Sequence, residues 1–206
     1  MAADQMSEPA ANVSIALEEL AGSLSRPVPR AGERLVQNGP LAALEPDAPD
    51  TAPNAPGRRQ RLVLWQSDFG VLVDEFHASQ PGVFTLTIAT SQPLAGGGRR
   101  YLAQDARGPL AIHPLGDYLT DHKGNTLTLL QTTSHSRFLI AITRDPTAWA
   151  RIVNGWSVEV RSGGKVYQLL HSNRSHRMRP LGPIQTEARY AGVVTSSNGE
   201  WQAVGL

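Results

Sequence analysis

In residues 83–90, Val-Phe-Thr-Leu-Thr-Ile-Ala-Thr, the apolar side chains Phe84, Leu86 and Ile88 alternate with Thr85, Thr87 and Ala89. A period of two rich in β-branched residues suits a half-buried strand and lays no continuous apolar stripe along a helix. The runs before it, 61–65 and 69–76, are also apolar. Gln66-Ser67-Asp68 parts them, and Pro81-Gly82 precedes the third run. The stretch predicts three antiparallel strands in a row with a turn at Pro81-Gly82.

The rest of the chain repeats this pattern. Tyr101-Leu102-Ala103, Leu110-Ala111-Ile112 and the alternating stretch 126–131 are strand candidates, and the glycine-rich 95–100 reads as a flexible connection. Residues 137–143 are apolar on both faces, with Phe138, Ile140 and Ile142 opposite Leu139 and Ala141, so this strand is expected to be central. Asp145-Pro146 ends it, and 147–153 reads as a helical turn or a loop. Trp156, Val158 and Val160 alternate with polar residues, and Gly163-Gly164 turns the chain into 165–170. Asn198-Gly199 is a second hairpin signal, between 188–195 and 201–204. The pattern predicts an all-β fold, an antiparallel β-sandwich of about ten strands over residues 58–206, without the βαβ alternation of a parallel sheet.

Residues 1–57 read differently. Val13, Leu17, Leu20 and Leu24 recur at helical spacing, with Asn12 or Ser14 as a cap and Pro27 beyond the end, which gives one short helix. Eight of the fifteen prolines fall within 1–56, so the expectation is an acidic, mostly irregular, partly disordered leader, with 35–36 and 41–44 as patches that could dock on the domain. Residues 1–56 hold three arginines and eight acids, a balance near −5, and the remainder of the chain sits near +6. A total of +1 argues against bulk attraction to nucleic acid, and the mildly basic domain points to small or polymeric anions. With no cysteine, disulfides, thiolate metal sites and a Cys nucleophile are excluded. No run of about 18 apolar residues suggests a membrane span, and the acidic start carries no readable secretion signal.

Candidate chemistry concentrates in 171–179, His-Ser-Asn-Arg-Ser-His-Arg-Met-Arg. Arg174, Arg177 and Arg179 are candidate grips for carboxylate or sulfate, since guanidinium forks match those groups; a solvated loop has the same composition. His171 and His176 fit a zinc spacing loosely but lack a third ligand, so no metal and no cofactor is expected. Asp74 and Glu75, with His77 nearby, form a carboxylate pair of the kind used in acid–base chemistry, or simply mark where a strand leaves the core. Ser134-His135-Ser136 cannot make a triad alone, because neighbours on a strand face opposite ways. No nucleophile elbow, phosphate loop or dinucleotide fingerprint occurs. Among Trp65, Trp149, Trp156 and Trp201, the alternation buries Trp156. Trp149, beside Arg151, is the candidate sugar platform.

Val71-Leu72-Val73-Asp74-Glu75-Phe76, followed by a polar break and the strand 83–90, resembles the start of the C-terminal β-sandwich of heparinase II/III-like polysaccharide lyases. Thr186-Glu187-Ala188-Arg189-Tyr190-Ala191, with the Asn198-Gly199 hairpin, is similar to its end. The resemblance covers roughly 58–206 and rests on strand patterns. It implies a part in β-elimination on uronate polysaccharides, in which a Tyr or His removes the proton beside the carboxylate and polar groups hold the enolate. It also implies a helical toroid as partner and a cell-envelope or secreted setting. This chain has neither the toroid nor the family's Gly-His-x-His motif, so no catalytic residue carries over. His171, His176 and Tyr190 stand only as bases for the reading in which the chain is an enzyme itself. The expectation is a sandwich that supports or binds an acidic polysaccharide, with a non-catalytic interaction module tethered through its leader as the alternative.

Overall fold

A computed structural model describes residues 9–47, 57–65, 69–154, 157–171 and 178–206. Among these the chain forms β1 (Pro9–Ala16), α1 (Leu17–Ser25), β2 (Glu33–Asn38), β3 (Leu41–Pro46), β4 (Gly57–Trp65), β5 (Phe69–Ala89), β6 (Ala95–Gly97), β7 (Arg100–Asp105), β8 (Gly108–Leu115), β9 (Leu119–Lys123) and β10 (Thr126–Thr143). It continues through β11 (Trp149–Asn154), β12 (Ser157–Ser162), β13 (Lys165–His171), β14 (Arg179–Leu181), β15 (Ile184–Thr186), β16 (Tyr190–Thr195) and β17 (Trp201–Gly205). The large sheet runs β2-β3-β4-β5-β10-β8-β7-β6, with β1 added to β5 and β9 to β10. A second sheet runs β11-β12-β13-β16-β17, and β14 pairs with β15. This is the all-β antiparallel sandwich that the alternation predicts, with seventeen strands among the described residues rather than about ten.

The Pro81-Gly82 turn is corrected. β5 passes through it as a single strand, and both of its halves pair with β10: 69–77 against 135–143, then 82–89 against 126–133. Residues 78–81 face only residue 134 across the ladder, a large bulge that bends both strands. The bend is sharp. Phe76 and Phe84 lie eight residues apart, about 26 Å along a straight strand, yet their ring centroids are 5.4 Å apart. Folding back puts Phe84, Leu86, Ile88, Leu127 and Leu129 against Leu62, Leu72, Phe138 and Ile140, and Leu20 and Leu24 of α1 join the same core. On the opposite face Val63, Val71, Val73, Leu139 and Ala141 meet Val158, Val160, Tyr167 and Leu169 of the second sheet. β10 is central, as its two apolar faces predict, and lies between β5 and β8.

Residues 9–47 are not irregular. Proline hid their strands because it sits at element ends: Pro40 in the β2–β3 turn, Pro46 at the last position of β3, Pro27 and Pro29 after the helix. β3 pairs with β4, and 41–45 are buried, so the patch at 41–44 is core. The helix starts later than its periodicity suggests. Val13 and Ile15 also fit a period of two, and β1 uses it to pair in parallel with β5. Asn12 and Ser14 lie in that strand, and Ala16 occupies the N-cap without a side-chain hydrogen bond. Residues 149–154 form the edge strand β11, so most of 147–153 is neither a helical turn nor a loop. The Gly163-Gly164 hairpin is as expected, with φ of 56° and 73°. No helix of the described residues is long and apolar enough to cross a membrane.

Gly192 in β16 lies where the two sheets pack closely against each other. A Cβ there would lie 2.6 Å from the Trp65 ring and 3.1 Å from Leu169. Gly192→Ala is expected to lower stability by about 1–3 kcal/mol through overpacking, measured by urea unfolding.

Candidate functional site

A groove with two joined lobes opens where β8 ends. The larger lobe, about 820 Å³, is lined by Tyr118, Thr120, Gln131, Thr133, His135 and Arg137, among others. The second, about 520 Å³, has Arg100, His113, Trp149, Arg151 and Ile152 in its wall. Arg99, Pro114, Gly116 and Asp117 line both. The local sequence explains the junction. Gly116 takes φ 145°, and a Cβ there would meet the Tyr118 ring at 2.7 Å, so only glycine lets the chain turn tightly enough to tuck Tyr118 beneath it. The Tyr118 hydroxyl donates to the Leu115 carbonyl at 2.7 Å and accepts from the Leu139 amide at 2.7 Å. Burial pushes this phenol up to about 12, so it stays protonated.

The groove is cationic. Arg99 forms no ion pair among the described residues. Arg100 donates to the Pro146 carbonyl at 3.3 Å, Arg151 pairs with Glu159 at 3.2 Å, and the Nε of Arg137 lies 3.4 Å from Glu75. Asp117 is the carboxylate among the lining residues of both lobes. At the bend, His135 stacks on its cross-strand partner His77 with ring centroids 3.9 Å apart. Burial, followed by the neighbouring His135, lowers the His77 pKa. Near-parallel rings aim their lone pairs side by side, a poor arrangement for holding one metal ion.

Behind the larger lobe, Arg137 reaches into a buried polar cluster between the sheets. Arg61 Nη1 donates to Glu75 Oε2 at 2.9 Å, with both side chains almost wholly inaccessible. The two nitrogens of His171 each lie 3.2 Å from an arginine, Nε2 from Arg61 and Nδ1 from Arg137. Guanidinium only donates, and a neutral imidazole has a single acceptor nitrogen, so one contact is a hydrogen bond and the other a donor facing a donor. Burial first, and then the four arginines around it, hold the His171 pKa well below its ordinary value. Glu45 is buried beside this cluster and takes hydrogen bonds from the Tyr190 hydroxyl and from Arg34, with Arg189 3.1 Å away.

Several residues singled out by sequence therefore fall elsewhere. His171 and Tyr190 are buried, 5% and 1% exposed, and line neither lobe, and burial pushes the Tyr190 phenol up further. Neither is placed to take a proton from a ligand in the groove. Arg179 sits in β14, only 9% exposed, and also lines neither lobe. Arg174, Arg177, His176 and Trp156 lie outside the described residues. Asp74 and Glu75 do not work as a pair. Alternation sends Asp74 to the helix side, where Arg58 grips it at 2.7 Å, and Glu75 to the other face. Trp149 is 48% exposed and lines the second lobe, with the guanidiniums of Arg151 and Arg161 5.3 and 5.6 Å from its ring centre. Arg99, Arg100, His113 and Arg137 were missed. The available signal was the arginine pair directly after three glycines.

No protein-family model matches the chain, and no curated protein matches it. Solved structures do. A mutant heparan sulfate lyase from Pedobacter heparinus is 9% identical, covering 84% of this chain and 27% of its own, at a TM-score of 0.45. A heparinase III with methylated lysines is 13% identical over the same shares, at 0.48. The chain thus spans about a quarter of the length of those proteins.

Proposed function

We propose that this chain is the β-sheet portion of a polysaccharide-lyase-like protein and that its two-lobed groove grips an acidic glycan. The observation that carries the reading is Arg99. Arg99 lines both lobes and has no ion pair among the described residues, and Arg137 in the larger lobe and Arg100 and Arg151 in the second add positive charge. Guanidiniums bind carboxylate and sulfate through charge-assisted forks, and a groove of two lobes suits a chain of repeating anionic units. Trp149 adds an apolar wall at one end. Calorimetric titration with uronate oligomers tests the reading. Arg99→Ala is expected to weaken binding about ten- to a hundredfold, the range for one hydrogen bond to a charged group, and raising salt is expected to weaken the wild type further. Wild-type protein that binds no oligouronate at low salt contradicts it.

A second reading, an interaction module with no ligand of its own, draws on β11. This strand is an edge of the second sheet and exposes Ile152 and Val153, and a partner protein would add there. A charge substitution at Val153, which lines neither lobe, that abolishes association in a protein showing no oligouronate binding would favour it.

A further inference from the structure

The pairing registers of the second sheet line up one residue from each of its five strands. Trp149 of β11 pairs with Arg161 of β12, Arg161 with Val166 of β13, Val166 with Thr195 of β16, and Thr195 with Trp201 of β17. Directly paired residues share a face, and the chain neighbours Val160, Tyr167 and Val194 pack toward the large sheet. The row therefore faces outward. One end of that outer face is covered by the β14–β15 hairpin, whose Leu181 is buried among Leu170, Ala191 and Val193. The row lies at the other end, beside the Gly163-Gly164 turn, and it is open. Trp149 is 48% exposed, Trp201 is 53% exposed, and Arg161 is exposed between them. Four strand spacings put the two tryptophans about 19 Å apart.

The middle of the row is cationic. A hollow of about 320 Å³ is lined by Arg161, Val166, the two turn glycines and Lys165, among others. Lys165 is exposed and in no ion pair among the described residues. Asp145 also lines the hollow, but its two oxygens accept from the hydroxyls of Thr147 and Ser162 at 2.6 and 2.7 Å. Thr147 lines both this hollow and the second lobe of the groove, and Trp149 lines that lobe too. The row is thus continuous with the groove at its β11 end.

Resting on the groove as a glycan site, we infer that the acidic glycan runs on from the second lobe across the outer face of the second sheet. Its sugar rings stack on Trp149 and Trp201, and the acidic groups between them meet Arg161 and Lys165. An indole offers a broad apolar face beside a polar N–H, which suits a sugar ring, and the cations between the two indoles favour a polyanion over an apolar protein surface. The protein would then prefer chains longer than the groove alone can hold.

The test uses the full chain at pH 7 with two probes, a dodecauronate and a triuronate too short to reach from the groove to Trp201. Trp201→Ala is expected to lose about three- to tenfold in dodecauronate affinity, one aromatic contact's worth, with triuronate unchanged. Trp201→Phe keeps a ring and is expected to recover most of the loss. A second measurement needs no variant. The indole N–H resonance of Trp149 should move with both oligomers, and that of Trp201 with the dodecauronate alone. An unmoved Trp201 resonance at saturating dodecauronate, or equal losses for both probes in Trp201→Ala, overturns the inference. So does a Trp201 resonance that moves when the protein is concentrated without sugar, which would make the β17 edge a contact between two copies of the chain. If dodecauronate binding depends on Arg99 but not on Trp201, this inference fails while the groove reading stands. If the wild type binds neither oligomer, both fail.

Discussion

Glu75→Ala is expected to lower the unfolding free energy by about 3–5 kcal/mol, the range for removing one partner of a buried ion pair. Glu75 is the carboxylate that faces both Arg61, whose side chain is fully buried, and Arg137. Without it, two guanidinium charges and the neutral His171 between them would share a low-dielectric space. Arg61 cannot escape by losing its proton, since guanidinium stays charged in proteins. Glu75→Gln keeps the acceptor oxygen and should cost less than Ala. Replacing Arg61 and Glu75 together with leucine and methionine should recover much of the loss, because a buried pair is often no better than a packed apolar substitute. Urea unfolding followed by far-ultraviolet circular dichroism measures all three. A loss below 1 kcal/mol in Glu75→Ala would mean that the cluster is solvated rather than sealed between the sheets.

Acid is the second large effect. His113 titrates near 4 in the folded chain and near 6.5 when unfolded. Between those values the unfolded chain takes up a proton that the folded chain refuses, so stability falls as pH falls through the window. At about 1.4 kcal/mol per unit, His113 alone contributes a loss of about 3 kcal/mol between pH 6.5 and 4. His171, also buried and neutral, acts in the same direction. Asp105, held low by its hydrogen bonds from Arg144, adds to the loss at still lower pH. Asp74 opposes it, since burial raises its pKa. His113→Gln should therefore flatten the pH dependence of unfolding between 6.5 and 4 by about 3 kcal/mol, whatever it does to stability at pH 7. An unchanged slope would show that His113 is protonated in the folded state.

The features legible in the sequence are those set by local alternation and turn chemistry. Phe138, Leu139, Ile140, Ala141 and Ile142 announced a strand buried on both sides, and β10 is that strand. Gly163-Gly164 and Asn198-Gly199 announced hairpins, and both form. What stayed hidden depends on contacts between residues distant in sequence. A proline-glycine pair reads locally as a turn; only the pairing of both β5 halves with one partner makes it a bend. Val13 fits a helix and a strand equally well, and the free edge of β5 decides between them. The site was harder still. His171 and Tyr190 look like chemistry on paper, but the second sheet seals them against Arg61 and Glu45. Arg99 looked like part of a flexible connection, and it gains significance only because β8, β10 and β11 converge beside it to form the groove.

Mapping amide shifts of isotope-labelled protein during titration with an oligouronate tests the groove directly. The expected result is a contiguous set of saturable shifts at Arg99, His113, Gly116, Asp117, Thr133 and Trp149, reached in Arg99→Ala only at about ten- to a hundredfold more oligomer. Shifts centred instead on Trp201 and β17, or none at saturating oligomer, would contradict it.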